Sequence, residues 1–339
     1  MRFYINILIG LIVSVFALEL FFQVVPVNSG IRMQETSAER PYSRYLANHE
    51  FTYSHGWSLL NARHGKTNRE GFVNSPDLDN HGGVLVIGDS FIEAFMLPYE
   101  QTLQGRLDAA LGGNVRAAAA ASNGLADTVA LLRHFGPQLR PATAVVFVKP
   151  YELALLLNRV ADGHNGFKRA GGQIAIEHYP YRESALKSLI IRSALVRYVY
   201  YNLKFPYWLK DALKLPWQRP AAAAPQSVSD KAEVMGFYLA ELRKAAAGAR
   251  VILLIDGDRA SLYAGKTSAQ AKAMRDDVLL FEQLAQQQQL EFIDMLPVFQ
   301  RDWARNHRRL DYLPVDAHWN DAGHALAAQQ VLLLINSKR

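Results

Sequence analysis

The stretch VLVIGDSF, residues 84–91, decides the fold of this chain. Its first four residues are apolar, which predicts a short strand buried on both faces of a sheet. Gly88, Asp89 and Ser90 then supply a turn and a helix cap, so the stretch indicates a strand that leads directly into a helix. Ser90 stands at this junction, so its side chain would lie at the carboxyl end of the strand.

A second stretch, DAHWNDAGH at residues 316–324, complements the first in its chemistry. A serine hydroxyl is a poor nucleophile near neutral pH and needs an imidazole as base, and that imidazole needs an acceptor on its other nitrogen. Residues two apart on an extended chain point to the same side, so Asp316 can orient His318. We therefore predict that Ser90, His318 and Asp316 are catalytic. Taken singly, each stretch is also ordinary turn and helix-capping chemistry.

With these motifs the chain resembles the SGNH or GDSL-type esterases and acyltransferases. The resemblance rests on NREGF at residues 68–72, on residues 84–103, and on DAHWNDAGHALAA at residues 316–328. The form D-x-H-W-N is similar to the branch associated with O-acetylation of envelope polysaccharides. The resemblance thus implies a serine esterase or O-acyltransferase acting on acyl esters, with O-acetyl groups of an envelope glycan as the expected substrate.

The resemblance also implies roles for single residues. Ser90 becomes the nucleophile, His318 the base and Asp316 its partner, while the amides of Ser90 and Gly124 form the oxyanion hole. Five further residues are expected to bind substrate: Asp89, Asn123, Lys149, Tyr151 and Trp319. Neither a cofactor nor a metal is expected.

One departure from the family pattern keeps a second hypothesis open. After its third strand the family usually has an Asn-Asp pair whose Asn is an oxyanion donor, but this chain has Tyr151 and Glu152. Losing one such donor costs on the order of a hundredfold in rate, unless Lys149, Tyr151 or Asn158 substitutes for it. The alternative is therefore a catalytically weak or inactive SGNH-fold protein that serves as a binding or scaffold component of an envelope polysaccharide assembly.

Two other kinds of site are disfavoured by the sequence. The nucleophile elbow of α/β-hydrolases needs glycine two residues after the serine, and Ile92 stands there. A metal site would draw on the carboxylates and imidazoles of the second stretch, which are Asp316, His318, Asp321 and His324. A helix beginning near Asn320 would point these side chains in different directions, so we do not expect a metal there.

Short apolar runs alternate with helical patterns along the rest of the chain. The runs at residues 84–87, 115–119, 144–148, 251–255 and 291–294 predict strands. This alternation predicts an α/β three-layer sandwich, flavodoxin-like and SGNH-hydrolase-like, with about five parallel strands. The helix after Asp127 is expected to end before Gly136 and Pro137.

The amino terminus predicts a membrane anchor. Residues 3–27 are almost wholly apolar and long enough to cross a bilayer, and the bulky residues at 17–26 favour an uncleaved signal anchor over a cleaved signal. We expect a single-pass protein of the inner (cytoplasmic) membrane with its catalytic domain on the periplasmic, extracytoplasmic side. The resemblance suggests an integral-membrane acyltransferase as a partner that supplies acyl groups.

The expected organisation is an anchor at 1–27, a juxtamembrane lead-in at 28–80, and an SGNH-like domain at 81–339 with an insertion at about 158–230. Within the insertion, residues 182–219 carry eight basic and two acidic residues, and this excess of six equals the net charge of +6 for the whole chain. Their apolar stripe either packs on its own domain or lies on lipid headgroups or a membrane partner. Because the basicity is confined to one insertion, nucleic acid is not an expected partner.

Overall fold

The computed structural model describes residues 1–79, 81–213 and 227–337. The strands are β1 (Glu50–His55), β2 (Leu60–Lys66), β3 (Val84–Gly88), β4 (Val115–Ala119), β5 (Thr143–Val148), β6 (Asn165–Ala170), β7 (Gln173–His178), β8 (Arg250–Ile255), β9 (Glu291–Asp294), β10 (Asp311–Leu313) and β11 (Asp316–Trp319). The helices are α1 (Arg2–Val24), α2 (Ser90–Glu93), α3 (Leu103–Leu111), α4 (Leu125–Leu139), α5 (Ala185–Ile190), α6 (Ala194–Arg197), α7 (Phe205–Ala212), α8 (Val228–Ala246), α9 (Arg259–Ala264), α10 (Ala269–Gln287), α11 (Leu296–Asn306) and α12 (Asp321–Asn336). A π-helical turn, Tyr198–Asn202, follows α6.

The centre of the fold is a five-stranded sheet in the order β4-β3-β5-β8-β9, with every neighbouring pair parallel. Counted along the chain this is the order 2-1-3-4-5 of flavodoxin-like folds, which place ligands at the carboxyl ends of the strands. All five expected strands are present, each within one residue of its predicted bounds. The predicted α/β fold class is confirmed.

Two apolar layers cover the sheet, one on each face. Side chains of α4, α8 and α10 pack with one face of the strands, and those of α3, α11 and α12 pack with the other. Because both faces are buried, the strands need apolar residues at successive positions, which is why their sequences lack the alternation of a half-exposed strand. The three-layer arrangement follows from this demand.

Helix α4 does not end where the sequence predicts. It continues through Gly136 and Pro137 to Leu139, and Arg140 then adopts a left-handed conformation at φ 44°. A proline in the last turn removes a single backbone hydrogen bond, and burial of the Leu139 side chain stabilises the extra turn. The prediction was wrong because a local stop signal was outweighed by tertiary packing.

The NREGF stretch forms a turn that braces the helix carrying Ser90. The Asn68 side chain accepts the amides of Glu70 and Phe72 at 3.1 and 2.8 Å and so closes the turn. A little further on, Asn74 donates to the carbonyls of Glu93 and Ala94 at 2.9 and 2.8 Å, at the carboxyl end of α2. These side-chain bonds fix where the first helix turn after β3 ends.

Gly71 within this turn has φ 88°, and a Cβ added there would lie 2.1 Å from the backbone oxygen of Tyr45. We expect Gly71→Ala to lose about 1–3 kcal/mol more stability than Gly112→Ala, because backbone overpacking adds to a strain that both variants share. Gly112 is the matched control, since its φ is 81° and a Cβ there meets nothing within 4 Å. Thermal unfolding of the full chain in detergent measures the difference, and equal losses in the two variants would refute this account of the turn.

Candidate active site

Ser90 is the first residue of α2, directly beyond the carboxyl end of β3. Asp89 caps this helix by accepting the amide of Phe91 at 2.9 Å. Gly88 lets the helix start close to the sheet, because a Cβ there would lie 2.5 Å from the Ile92 side chain. The G-D-S sequence is thus explained locally by a close approach, a cap and an outward-facing hydroxyl.

Strand β11 brings the second motif to this hydroxyl. His318 Nε2 lies 2.8 Å from Ser90 Oγ, and its Nδ1 lies 2.5 Å from Asp316 Oδ1. The carboxylate needs a proton on Nδ1, which leaves Nε2 as the acceptor for the serine hydroxyl. Burial raises the pKa of Asp316, but the hydrogen bonds and charge of His318 outweigh it, so its pKa lies below the ordinary value. The three side chains form one continuous hydrogen-bonded row with an ionised carboxylate at its end.

A buried arginine holds β11 in place. Arg259 donates to the carbonyl of Ala317 at 2.5 Å and to Asp311 at 2.8 Å, and it forms an ion pair with Asp256. Asp256 also accepts the indole N–H of Trp319 at 2.8 Å. The residue between Asp316 and His318 is therefore tied to the sheet through Arg259. Sequence reasoning missed this arginine, although its position three residues after the strand-end Asp256 was a usable signal.

Three of the five residues expected to bind substrate lie outside the lining of the cavity beside Ser90. Asp89 is 1% exposed and Asn123 is 3% exposed, with the Asn123 side chain donating to the carbonyl of Gly88 at 3.1 Å. Trp319 is fully buried in the apolar layer beside the sheet. Asp89 caps a helix, Asn123 braces the end of β3, and Trp319 is a core residue that donates to Asp256, so direct contact of these three with substrate stays a prediction.

The other two residues, Lys149 and Tyr151, line the cavity beside Ser90. Lys149 forms ion pairs with Asp89 and, at 3.2 Å, with Glu152. Burial lowers the pKa of Lys149, but these two charges outweigh it and raise its pKa well above the ordinary range. Burial raises the pKa of Glu152 to about 7 even though Lys149 opposes this. Of Tyr151 and Glu152, which stand where the resemblance places an Asn-Asp pair, Glu152 is therefore engaged by a buried, charge-paired lysine.

The amide of Gly124 is already engaged. Gly124 is the N-cap of α4, and its N–H donates to Asp127 Oδ2 at 2.9 Å. Asp127 is buried and also accepts the backbone amide of Asn165 at 2.7 Å and lies 3.1 Å from His164 Nδ1. The residue expected as an oxyanion donor does line the cavity, but its hydrogen points to a fixed carboxylate.

Two hollows, which share Lys149 and Tyr151, lie near Ser90. One, of about 650 Å³, is lined by Ser90, Gly124, Lys149, Tyr151 and Asn158 among others. The other, of about 410 Å³, is bounded by Phe91, Arg259 and the loop before β11. Each volume lies within the range of small-molecule sites, so the hydroxyl faces space that a sugar-sized ester can occupy.

The second histidine of the motif has a separate place. His324 is fully buried, and its Nδ1 accepts the amide of Leu103 at 3.1 Å. Burial lowers its pKa to about 3, so it is neutral. Within residues 1–79, 81–213 and 227–337 no three His, Asp or Glu residues converge as metal ligands do.

The parallel sheet of five strands with helices on both faces is an SGNH-like α/β fold. A family model described as the SGNH hydrolase-like domain of the acetyltransferase AlgX matches residues 219–339. This part of the chain includes the stretch 316–324 but not Ser90. The match confirms the resemblance to SGNH-type, O-acetylation-related proteins.

Solved structures with similar folds share little sequence with this chain. LAE5, an α/β hydrolase enzyme from the metagenome of Lake Arreo, Spain, is 16% identical, and the match covers 76% of this chain and 97% of LAE5 with a TM-score of 0.42. The acetyl xylan esterase AlAXEase is 13% identical, with 75% and 99% covered and a TM-score of 0.43. A catalytic mutant of Axe2, an acetylxylan esterase from Geobacillus stearothermophilus, is 12% identical, with 75% and 94% covered and a TM-score of 0.42. No curated protein sequence matches the chain.

Glu93 is a further buried acid, and it is the last residue of α2, the helix that Ser90 begins. Its Oε2 accepts the hydroxyl of Tyr45 at 2.6 Å, and its Oε1 has no partner among the described residues. Burial raises the pKa of Glu93 to about 7 against the opposing hydrogen bond from Tyr45. Neither residue was expected from the sequence, because an acid in the first turn of a helix is an ordinary sequence feature.

This burial predicts how stability depends on pH. Because the folded-state pKa of Glu93 lies above the ordinary 4.5, the folded protein resists its ionisation. Relative to Glu93→Gln, the free energy of unfolding of the wild type should therefore fall by up to about 3 kcal/mol as the pH rises from about 5 to about 7. Chemical denaturation across this range measures it, with exposed Glu100→Gln as the control. Parallel curves for all three proteins would contradict the assignment.

Proposed function

We propose that the protein is a membrane-tethered serine esterase or O-acyltransferase that acts on acyl esters, with O-acetyl groups of an envelope glycan as substrate. The observation that carries the proposal is the unbroken row from Ser90 Oγ through the His318 ring to Asp316, at 2.8 and 2.5 Å. Such a row has a specific chemical use, since it supplies a base for the hydroxyl and a counter-charge for the imidazolium. The matched acetyltransferase family supports the same chemistry.

The reaction proceeds in two half-steps. Ser90 Oγ attacks the ester carbonyl while His318 Nε2 takes the hydroxyl proton, and Asp316 remains ionised beside the resulting imidazolium. The tetrahedral intermediate then expels the alcohol, which leaves with the proton from His318. The acyl-enzyme that remains is attacked by water, giving an esterase, or by a sugar hydroxyl, giving a transferase. In each case His318 removes the proton of the incoming group.

The oxyanion needs hydrogen-bond donors at the amino-terminal end of α2. The Ser90 amide is suited to this, because the first N–H groups of a helix have no intrahelical acceptor. Gly124 remains the second proposed donor, and it serves only if the substrate oxygen competes with Asp127 for its N–H. Tyr151, half exposed and set 5.0 Å from the Lys149 ammonium, offers an aromatic face to the glycan.

Tethering would concentrate this chemistry at a membrane. Helix α1 is 23 residues long, enough to cross a bilayer, and α1 is exposed along its apolar length. We propose a single pass through the inner membrane, with the catalytic domain on the extracytoplasmic side and an integral-membrane acyltransferase as acyl donor. The same helix and fold would serve a scaffold, and the fixed Gly124 amide favours that alternative over an efficient enzyme.

The test is ester hydrolysis by single-residue variants. We expect Ser90→Ala and His318→Ala to reduce turnover of p-nitrophenyl acetate by at least on the order of a thousandfold, since the members of a triad act as one unit. Ser122→Ala is the matched control, because Ser122 lines the same cavity and is not in the row. Its turnover should stay close to that of the wild type.

Each outcome separates the hypotheses. Equal turnover in all variants would remove Ser90 from the mechanism. A folded wild type without esterase activity, in cells that lose envelope acetylation when Ser90→Ala replaces it, would indicate a transferase that needs its acyl-donating partner. Unchanged envelope acetylation in cells that carry Ser90→Ala would support the alternative hypothesis, in which the protein is a scaffold.

The arginine behind β11 gives a further prediction. Arg259→Lys keeps the charge, but one ammonium cannot contact Ala317, Asp311 and Asp256 together, so His318 loses its support. We expect kcat to fall on the order of tenfold with little change in KM. Arg250→Lys is the control, because Arg250 makes a two-pronged ion pair with Glu291 at the other end of the sheet. Equal kcat values in the two folded variants would contradict a positioning role.

A further inference from the structure

The described part of the insertion is attached to the amino-terminal helix by a polar contact. The carboxylate of Glu19 in α1 accepts the hydroxyl of Ser193 at 2.7 Å and the amides of Ala194 and Leu195, each at 2.9 Å. These amides begin α6 and have no acceptor inside their own helix. Glu19 therefore caps α6 from another element, and α6 is held against α1.

An aromatic contact strengthens the same junction. The ring of Phe22, one turn beyond Glu19, stacks on Tyr198 with centroids 4.1 Å apart. Phe22 is the one buried residue of α1, and it clusters with Val27 and Ala194. The carboxyl end of α1 and the insertion thus share a small core of their own.

The position of this junction along α1 sets its depth in a bilayer. At a rise of about 1.5 Å per residue, Glu19 lies roughly 25 Å from Arg2, close to the far boundary of a hydrocarbon layer about 30 Å thick. With Arg2 at one interface, α6 is held at the level of the opposite headgroups. The elements on either side of α6 must then lie close to the same interface.

These elements present apolar side chains to the outside. We call residues 184–209 the foot; they include α5, α6 and the π-helical turn. Leu186 is 66% exposed, Ile190 45% and Tyr200 44%, yet all three line one groove of about 330 Å³. An open apolar groove of this kind is uncommon on a surface that faces only water.

The charge of the foot has a single sign. Residues 184–209 contain four basic side chains and no acidic one. Lys187 and Arg197 belong to the lining of the apolar groove, while Lys204 is exposed beyond the π-helical turn. Apolar side chains flanked by lysine and arginine are the composition by which peripheral helices bind anionic lipid surfaces.

We infer that the foot rests on the anionic surface of the bilayer that α1 crosses, with its groove on the acyl-chain boundary and its basic side chains on lipid phosphates. The inference depends on the membrane anchor of the proposed function. It selects between the two uses of the basic stripe that the sequence left open, because the groove is not covered by the described body of the protein.

The foot is joined firmly to the body that carries Ser90. Asn202, at the end of the π-helical turn, is buried and accepts the amide of Asn28 at 3.0 Å while donating to the Ser54 hydroxyl at 2.9 Å. Ser54 belongs to β1, so a foot on the lipid surface would also fix the tilt of the body above it. Two attachments, α1 and the foot, would then set how the cavity at Ser90 faces the membrane.

Spin labelling of the full chain tests the inference. The chain has no cysteine, so each single-cysteine variant carries one nitroxide. Leu186→Cys reports on the foot, Ile12→Cys on α1, and Leu279→Cys on α10 of the body, all at exposed apolar positions. The proteins are reconstituted in phosphatidylcholine vesicles with or without phosphatidylglycerol, and collision with oxygen is compared with collision with a water-soluble nickel chelate.

In vesicles with phosphatidylglycerol we expect the Leu186→Cys label to collide with oxygen and to be shielded from nickel, as the Ile12→Cys label is, while the Leu279→Cys label shows the reverse. Omitting phosphatidylglycerol should shift the Leu186→Cys label towards nickel. The Leu186→Cys label could instead behave like the Leu279→Cys label while the Ile12→Cys label is still embedded in lipid. That result would overturn the inference and leave the anchor intact. Shielding of the foot label from both reagents would overturn it in favour of a protein contact. An Ile12→Cys label exposed to nickel would refute the anchor itself.

Discussion

The site depends on one buried guanidinium. Arg259 joins Asp256 at the end of β8, Asp311 on β10 and the Ala317 carbonyl on β11, so it connects the parallel sheet to the short hairpin that carries His318. A buried charge is expensive unless its partners satisfy it, and here two carboxylates and a carbonyl do so. Of the residues of β10 and β11 only Trp319 is buried in the core, so Arg259 and Trp319 together hold His318 at hydrogen-bond distance from Ser90.

The surroundings of Ser90 keep several charges away from water. Lys149 lies between Asp89 and Glu152, Glu93 ends α2, and Asp127 holds the Gly124 amide. The buried acids Glu93 and Glu152 have pKa values raised to about 7, whereas the pKa of Asp316 is lowered by its histidine. The row can therefore keep a fixed negative charge at neutral pH. The same environment replaces the usual asparagine donor by a rigid ionic network, which makes the oxyanion site the weakest part of the proposed machinery.

Much of the fold and the outline of the site could be predicted from the sequence. The five strands are short apolar runs, and a strand buried on both faces can be recognised from consecutive apolar residues. Ser90, Asp316 and His318 could be predicted as candidates because each stands in a short motif whose residue types suit a nucleophile or its base. Interactions between distant segments could not be read in this way. The burial of Trp319, the Asp127 bond to Gly124, the Arg259 contacts and the extension of α4 past Pro137 all depend on neighbours that only the folded chain brings together. The part of the basic segment beyond residue 213, at 214–219, lies outside the described residues.

The central claim is that His318 activates Ser90 as a nucleophile. Fluorophosphonate labelling of the full chain, with the modified residue located by mass spectrometry, tests this most directly, because the reagent reports on the hydroxyl without needing the natural donor or acceptor. The account predicts a single adduct on Ser90 that disappears in His318→Ala while the variant remains folded. An adduct on another residue, or labelling of Ser90 that persists without His318, would contradict it.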